Sequence, residues 1–239
     1  MKRDRTASGI TPERLDALRA ALPSMMSEKR LRHVLAVEEA AVRIGRLYLP
    51  VSPADGAMPP AERKLRAAAL LHDITKEYTV EEHLNVLLPR GIVPTDIELA
   101  APKTLHAISA AALIPDEYPD LACRDVISSV RWHTTGRAGM SIYDKIIYLA
   151  DYIDMSRKYP ECVRLRSMFW DPDPASMDMP EREEHLRRVL VESFDITLRG
   201  LLEDGLPVHP ETNRARNSLI LRKAETGAGK GPEGPERAE

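Results

Sequence analysis

Leu65-Arg66-Ala67-Ala68-Ala69-Leu70-Leu71-His72-Asp73-Ile74-Thr75-Lys76 is the stretch on which the reading of this chain turns. From Ala61 the spacing predicts a helix to Asp73, with Leu65, Ala68, Ala69 and His72 on its apolar face. An imidazole and a carboxylate therefore leave the core side by side. A carboxylate in such a place is paired, protonated or bound to a cation, because burying it alone is expensive. The dipeptide by itself is a weak signal. It is equally compatible with a histidine on a helix dipole followed by a solvated aspartate.

Helical patterning continues on both sides. Thr11-Pro12 reads as an N-cap and a first-position proline opening a short helix to about Leu22. A second helix is expected from about Ser24 to Tyr48, where Leu31, Val34, Leu35, Val42, Ile44 and Leu47 recur at helical spacing. Pro50–Pro60 reads as a loop. Thr79-Val80-Glu81-Glu82 has capping-box spacing and starts a helix through Leu88, which Pro89–Pro94 breaks. Further helices are expected at about Thr104–Ile114 and Asp120–Trp132. A turn follows from His133 to Gly139, and Ser141 to Asp144 caps a helix reaching about Arg157. Trp170–Pro180 reads as a loop ahead of a long helix from about Glu181 to Glu203. No alternating strand and no internal repeat is evident, so the expected class is an all-α bundle. Ala224–Glu239 has almost nothing to bury and reads as a disordered tail, leaving residues 1–223 as one domain.

Composition agrees with that class. The chain has 239 residues, 43% hydrophobic and only 5% aromatic, enough for a sizeable core built from helices. Its 34 basic and 37 acidic residues give a net charge of −3, without the basic surplus of a nucleic-acid binder. Cys123 and Cys162 form no CxxC pair and suit a reducing compartment. Met1–Arg5 is charged and precedes no apolar h-region, and Ala67–Leu71 is typical of the longest apolar runs. A signal peptide and a membrane partner are therefore not expected, and a cytoplasmic location is.

Chemistry rests on few side chains. His33 shares a helix face with Val37, Ala40 and Ile44, and alone reads as a hydrogen-bonded core histidine. Asp151 follows Tyr148-Leu149-Ala150, and alone reads equally well as an ion pair to Arg157. His83, His185 and His209 have no such neighbours and read as surface residues. Gly227-Ala228-Gly229-Lys230-Gly231 lacks the spacing and the Ser/Thr of a phosphate loop. What stands out is the joint pattern of His33, His72-Asp73 and Asp151 on separate expected helices. Imidazole and carboxylate donors without thiolates suit iron, manganese or zinc.

That pattern resembles the HD-domain metal phosphohydrolases. In order, Leu70-Leu71-His72-Asp73-Ile74-Thr75-Lys76, Leu105-His106, His133-Thr134-Thr135-Gly136, Met140-Ser141, Asp144-Lys145-Ile146-Ile147-Tyr148-Leu149-Ala150-Asp151 and Arg157 are similar to the bacterial YqeK-type symmetrical diadenosine tetraphosphate hydrolases. The likeness covers about Thr11 to Leu221 and includes Asn217. Two features depart from it: Asp154-Met155 stands where that subfamily usually reads Glu-Pro, and the Pro50–Pro60 loop is longer than usual.

The resemblance implies an HD-domain helical bundle whose metal is bound by His33, His72, Asp73 and Asp151. That metal is commonly iron, with manganese and zinc as options and room for a second ion. It would lower the pKa of a bound water, and the hydroxide would attack a phosphorus. The resemblance also implies catalytic work for Asp73, Lys76, His106 and His133, and substrate contacts from Lys76, His106, His133, Thr134, Thr135, Gly136 and Arg157. Lys76 reaches the same mouth if the helix persists one turn past Asp73, and Arg157 can fork onto a phosphate. His106 and His133 have three roles open to them: hydrogen bonding to phosphate, acid catalysis on the leaving ADP, or holding a second metal. Gly136 and Gly139 allow close backbone approach and can offer N–H groups to an anion. The expected partners are diadenosine tetraphosphate and its ADP product, with a homodimer left open. Another HD-type nucleotide phosphohydrolase, a nucleotide-sensing module without turnover, and an iron oxygenase on the same scaffold are the competing readings.

Overall fold

Thr11, Ser27, Thr79, Thr95, Ser141 and Asp178 each accept, through a side-chain oxygen, the backbone N–H three residues on. These caps satisfy donors that a helix start would otherwise leave open, and they set where helices begin. The computed structural model describes residues 9–50 and 57–227. Among them lie eleven α-helices and no strand: α1 (Pro12–Ala21), α2 (Glu28–Tyr48), α3 (Pro60–Leu71), α4 (Val80–Leu87), α5 (Asp96–Ala100), α6 (Leu105–Glu117), α7 (Arg124–Trp132), α8 (Ile142–Ile153), α9 (Pro160–Trp170), α10 (Met179–Glu203) and α11 (Pro210–Gly227). The all-α expectation holds. None of these helices is long and apolar enough to cross a membrane.

Helix α3 is the axis of the bundle. Leu65 and the run Ala67 to Leu71 are buried, so the second half of this helix is apolar all round. It packs on α2, α7, α8 and α1, while α2 also lies along α8. Small side chains at 67, 68 and 69 let these neighbours come close. Val34, Val37, Ile44, Val130, Ile146, Leu149 and Phe194 complete one continuous core. A smaller cluster of Leu87, Leu105 and Ile108 ties α4 to α6.

Several boundaries differ from expectation for local reasons. Helix α3 stops at Leu71 rather than Asp73, and it does not persist to Lys76. The backbone tightens instead into three-residue turns, with Ile74 N–H on Leu71 O and Lys76 N–H on Asp73 O. Thr75 draws the chain aside by donating its hydroxyl to His106 O at 2.9 Å. Helix α8 stops at Ile153 rather than Arg157, because the Asp154 carboxylate accepts the Ser156 N–H at 2.7 Å and competes with the helical ladder. Helices α5, α9 and α11 were not anticipated. Helix α11 runs through Gly227, past the start of the tail expected at Ala224. The rest of that tail, the Gly-rich run from 228, residues 51–56 of the Pro50–Pro60 loop, and Met1–Arg5 lie outside the described residues.

Three histidines expected at the surface are buried. His83 Nδ1 lies 2.8 Å from Ser109 Oγ, joining α4 to α6. His185 Nε2–H donates to Phe169 O at 2.9 Å, and its ring stacks on that of Phe169. His209 accepts the Glu211 N–H at 3.2 Å and sits 3.6 Å from Glu98. Charged neighbours such as Glu81 and Glu82 disguise these positions in the sequence, yet each ring finds one polar partner that makes burial tolerable.

Burial lowers the His83 pKa below its ordinary value of 6.5. Below pH 6.5 the unfolded chain therefore takes up a proton that the folded chain refuses, so this residue's contribution to stability is lost on acidification. His83→Ala should destabilise the fold by about 1 kcal/mol, the worth of one hydrogen bond, since the Ser109 hydroxyl keeps its contacts with Thr75 and His106. The gap between the two proteins, measured by urea unfolding, should narrow as the pH falls below 6.5.

Candidate metal centre

The apolar end of α3 delivers His72 and Asp73 to the middle of the bundle, with 0% and 3% of their surface exposed. Helix α2 brings His33, the start of α6 brings His106, the end of α7 brings His133, and the last turn of α8 brings Asp151. Asp73 sits at the centre of this set. Its Oδ2 lies 3.6 Å from His33 Nε2 and 3.5 Å from His72 Nε2. Its Oδ1 lies 3.2 Å from His106 Nε2 and 3.7 Å from His133 Nε2. Asp151 Oδ1 is 2.9 Å from His33 Nε2 and 4.0 Å from His72 Nε2.

Three of the imidazoles are oriented by one device. His72, His106 and His133 each donate Nδ1–H to the carbonyl three residues back, those of Ala69, Lys103 and Val130, at 2.6, 2.8 and 2.7 Å. That bond fixes the tautomer and leaves Nε2 as a lone pair aimed into the site. Burial holds His72 and His106 neutral, pulling their pKa values down to about 4 and about 3. Burial pushes the Asp73 and Asp151 carboxyls up, but His72 and His106 beside Asp73, and Arg157 and His33 beside Asp151, hold both well below the usual carboxylate range. Burial also lowers His33, but Asp151, Asp154 and Asp73 outweigh it and raise the imidazole to about 9.

The residues fit a divalent cation. His33 Nε2, His72 Nε2 and Asp73 Oδ1 are buried without a hydrogen-bond partner, a costly state that coordination would relieve. Ligand atoms of His33, His72 and Asp73, and likewise those of His72, His133 and Asp151, all lie within 4.8 Å of one another. Two guanidiniums compensate the carboxylates: Arg30 Nη1 lies 2.5 Å from Asp73 Oδ2, and Arg157 Nη2 lies 2.5 Å from Asp151 Oδ1. Arg157, expected on phosphate, here grips Asp151. Arg30 was missed, although it lies one turn before His33 on the same face of α2.

Lys76 reaches the centre despite the early end of α3, with Nζ 3.1 Å from His106 Nε2 and 3.9 Å from Asp73 Oδ1. Burial lowers its pKa. Thr134 Oγ1 lies 3.1 Å from His133 Nε2 and 3.2 Å from His106 Nε2. Thr135 and Gly136, expected to contact substrate, make internal hydrogen bonds here. Thr135 is buried and donates its hydroxyl to Gly136 O, and the Gly136 N–H is taken by Trp132 O at 2.8 Å. Gly136 is there for geometry: its φ is +64°, and a Cβ would come within 2.6 Å of the Phe194 ring. Asn217 is exposed on α11, away from a described polar partner. Lys76, His133, Asp151 and Arg157 open onto a cleft of about 720 Å³ that runs along α9 and α10, large enough for a sizeable ligand.

Residues 30–156 match the HD domain family model, a span holding Arg30, His33, His72, Asp73, Lys76, His106, His133 and Asp151 and ending one residue before Arg157. The chain belongs to the HD-domain family. This HD protein is 28% identical over 198 residues to the symmetrical bis(5'-nucleosyl)-tetraphosphatase of Halalkalibacterium halodurans, covering 83% of the chain and 92% of that relative. It is 26% identical over 201 residues to the enzyme of the same name from Bacillus subtilis, covering 84% and 95%. Among solved structures it resembles a Clostridium acetobutylicum protein named as a "predicted HD superfamily hydrolase involved in NAD metabolism". That match has a TM-score of 0.72 and 29% identity, over 87% of this chain and 97% of the other. The family resemblance read from the motifs is borne out.

A cation bound by these groups stabilises the folded state alone, adding about 2.7 kcal/mol at a hundredfold excess over its Kd. Manganese or zinc should raise the thermal midpoint, and a chelator should reverse the rise. In His72→Ala the shift should disappear in differential scanning fluorimetry.

Proposed function

We propose that this chain is a symmetrical bis(5'-nucleosyl)-tetraphosphatase that cleaves diadenosine tetraphosphate at its centre into two ADP. The observation that carries the reading is the meeting of His33, His72, Asp73 and Asp151, with two Nε2 atoms and a carboxylate oxygen left without hydrogen-bond partners inside the protein. Relatives that share the name, two of them matched over 92% and 95% of their length, support the substrate class. Those four residues would hold a divalent metal, for which iron, manganese and zinc all suit the donors. When bound, it supplies the Lewis acidity that makes water nucleophilic near neutral pH.

The other groups act on charge and position. Water adds to one of the two central phosphorus atoms, the P–O bond to the central bridging oxygen breaks, and that oxygen leaves with the second ADP. Charge that develops on the phosphoryl and bridging oxygens meets Lys76 and Arg157 at the mouth of the cleft, with Arg30 behind Asp73. Once Asp73 and Asp151 share their charge with a cation, both guanidiniums have fork donors to spare for phosphate. His106 and His133, with Nδ1–H committed to carbonyls, present acceptors 2.9 Å apart beside Asp73 Oδ1. That arrangement favours a second cation there over hydrogen bonding to phosphate, and leaves the Lys76 ammonium as the proton donor of this corner. A nucleotide substrate, no nucleic-acid or membrane partner, and a cytoplasmic location go with this reading.

Chromatography of products from diadenosine tetraphosphate with metal-loaded protein should yield ADP alone. ATP with AMP, or orthophosphate, would overturn the assignment. Asp73→Ala should abolish both bound metal and turnover, and full retention of either would be incompatible with the proposed centre. Lys76→Ala should keep the metal and lower kcat about 10²–10³-fold, the range for loss of one transition-state donor.

A further inference from the structure

His33 is the exception among the four imidazoles. His72, His106 and His133 stand at helix ends, where a carbonyl three residues back is within reach of Nδ1. His33 stands inside α2, where the carbonyls are taken up by the helical ladder, so its Nδ1 needs an acceptor from elsewhere. The turn after α8 provides one. Asp154 Oδ2 lies 3.4 Å from His33 Nδ1, and Ser156 Oγ lies 3.3 Å from the same nitrogen. The Ser156 hydroxyl donates to Asp154 Oδ1, which frees its lone pairs toward the imidazole.

Resting on the reading of His33 as a metal ligand, we infer that Asp154 is a positioning residue that, through the Ser156 hydroxyl and its own carboxylate 3.4 Å away, holds His33 Nδ1–H and so aims Nε2 at the cation. The carboxylate is built in for this contact. Asp154 is fully buried; its Oδ2 makes no hydrogen bond, and its Oδ1 accepts the hydroxyl of Ser156, whose oxygen is the hydrogen-bond partner of His33 Nδ1. Arg157 Nε, at 3.5 Å, is the other cationic group facing it. The turn is rigid because Arg166, from α9, donates Nε–H to Ile153 O at 2.7 Å and a second N–H to Arg157 O at 2.9 Å. Asp154 and the cation would flank opposite edges of one ring: Nδ1 faces Asp154, while Nε2 faces Asp151 and Asp73. This separation makes Asp154 a partner of the ligand rather than a ligand. A carboxylate behind an imidazole raises its basicity and fixes its tautomer, and losing such a partner typically costs ten- to a hundredfold in metal affinity.

Zinc ion is the probe, and its affinity is measured by competition with a chromophoric chelator. Asp154→Ala should weaken zinc binding about 10–100-fold. Asp154→Asn keeps an oxygen to accept Nδ1–H and should lose less. Asp151→Asn, which alters a direct ligand, should lose more than either. In nitrogen-edited NMR of the zinc-loaded protein, a slowly exchanging His33 Nδ1–H should be present in the wild type and in Asp154→Asn, and absent from Asp154→Ala. Should Asp154→Ala fail to fold, Asp154→Asn and Asp154→Glu carry the comparison, with the longer carboxylate expected to restore at least part of the affinity. Zinc affinity within twofold of wild type together with an unchanged Nδ1–H would overturn the inference. So would an Asp154→Asn loss equal to that of Asp151→Asn, which would make Asp154 a ligand. These readouts do not involve the nucleotide, so a failure to cleave diadenosine tetraphosphate would leave them standing.

Discussion

A carboxylate cannot sit in a helical core without positive charge around it, and Asp73 sits in this one with 3% of its surface exposed. The surrounding helices supply the compensation. Arg30 and His33 come from α2 and Lys76 from the turn that follows α3, while His72, His106 and His133 turn their Nε2 lone pairs toward the carboxylate. Asp151 then adds a second carboxylate 2.9 Å from His33 Nε2, which only deepens the demand for cations. Arg30 and Arg157 meet part of that demand, yet they leave two imidazole nitrogens and one Asp73 oxygen without hydrogen-bond partners. The unmet part has the size, donor set and location of a divalent ion.

The route from sequence to this arrangement is uneven. His72-Asp73 is legible because an all-apolar run ends in two polar residues, a local contrast visible without knowing the fold. Asp151 is legible for the same reason, behind Tyr148-Leu149-Ala150. The capping boxes at Thr79 and Ser141 mark true helix starts because their chemistry is confined to four residues. The end of α3 is not legible in this way. Thr75 leaves the helix to reach His106 O, which is 31 residues away in the sequence. Helices α5, α9 and α11 have weak or mixed patterning, and their burial depends on neighbours that no local window contains.

The same distinction explains the misread histidines. His83 and His185 each follow a glutamate and His209 stands between Val208 and Pro210 in a proline-punctuated stretch, so local composition gives no sign that they are buried. Their burial is decided by Ser109, Phe169 and Glu98, each on another element. Arg30 and Asp154 belong with them. Neither has a local signature beyond an ordinary charge near a helix end, and both become informative only once α2, α3 and α8 are packed together.

The way each imidazole is oriented links these observations. A histidine at a helix end can borrow the carbonyl three residues back, so His72, His106 and His133 carry their orienting group in their own sequence neighbourhood. A histidine inside a helix has no such carbonyl to borrow. For His33 the orienting group comes from 121 residues further on, in the turn that ends α8, and it arrives only when α2 lies along α8. Three of the four imidazoles are thus aimed by local geometry and the fourth by tertiary packing. The aim of His33 accordingly depends on the α2–α8 contact, and the centre is complete only when the whole bundle has closed around it.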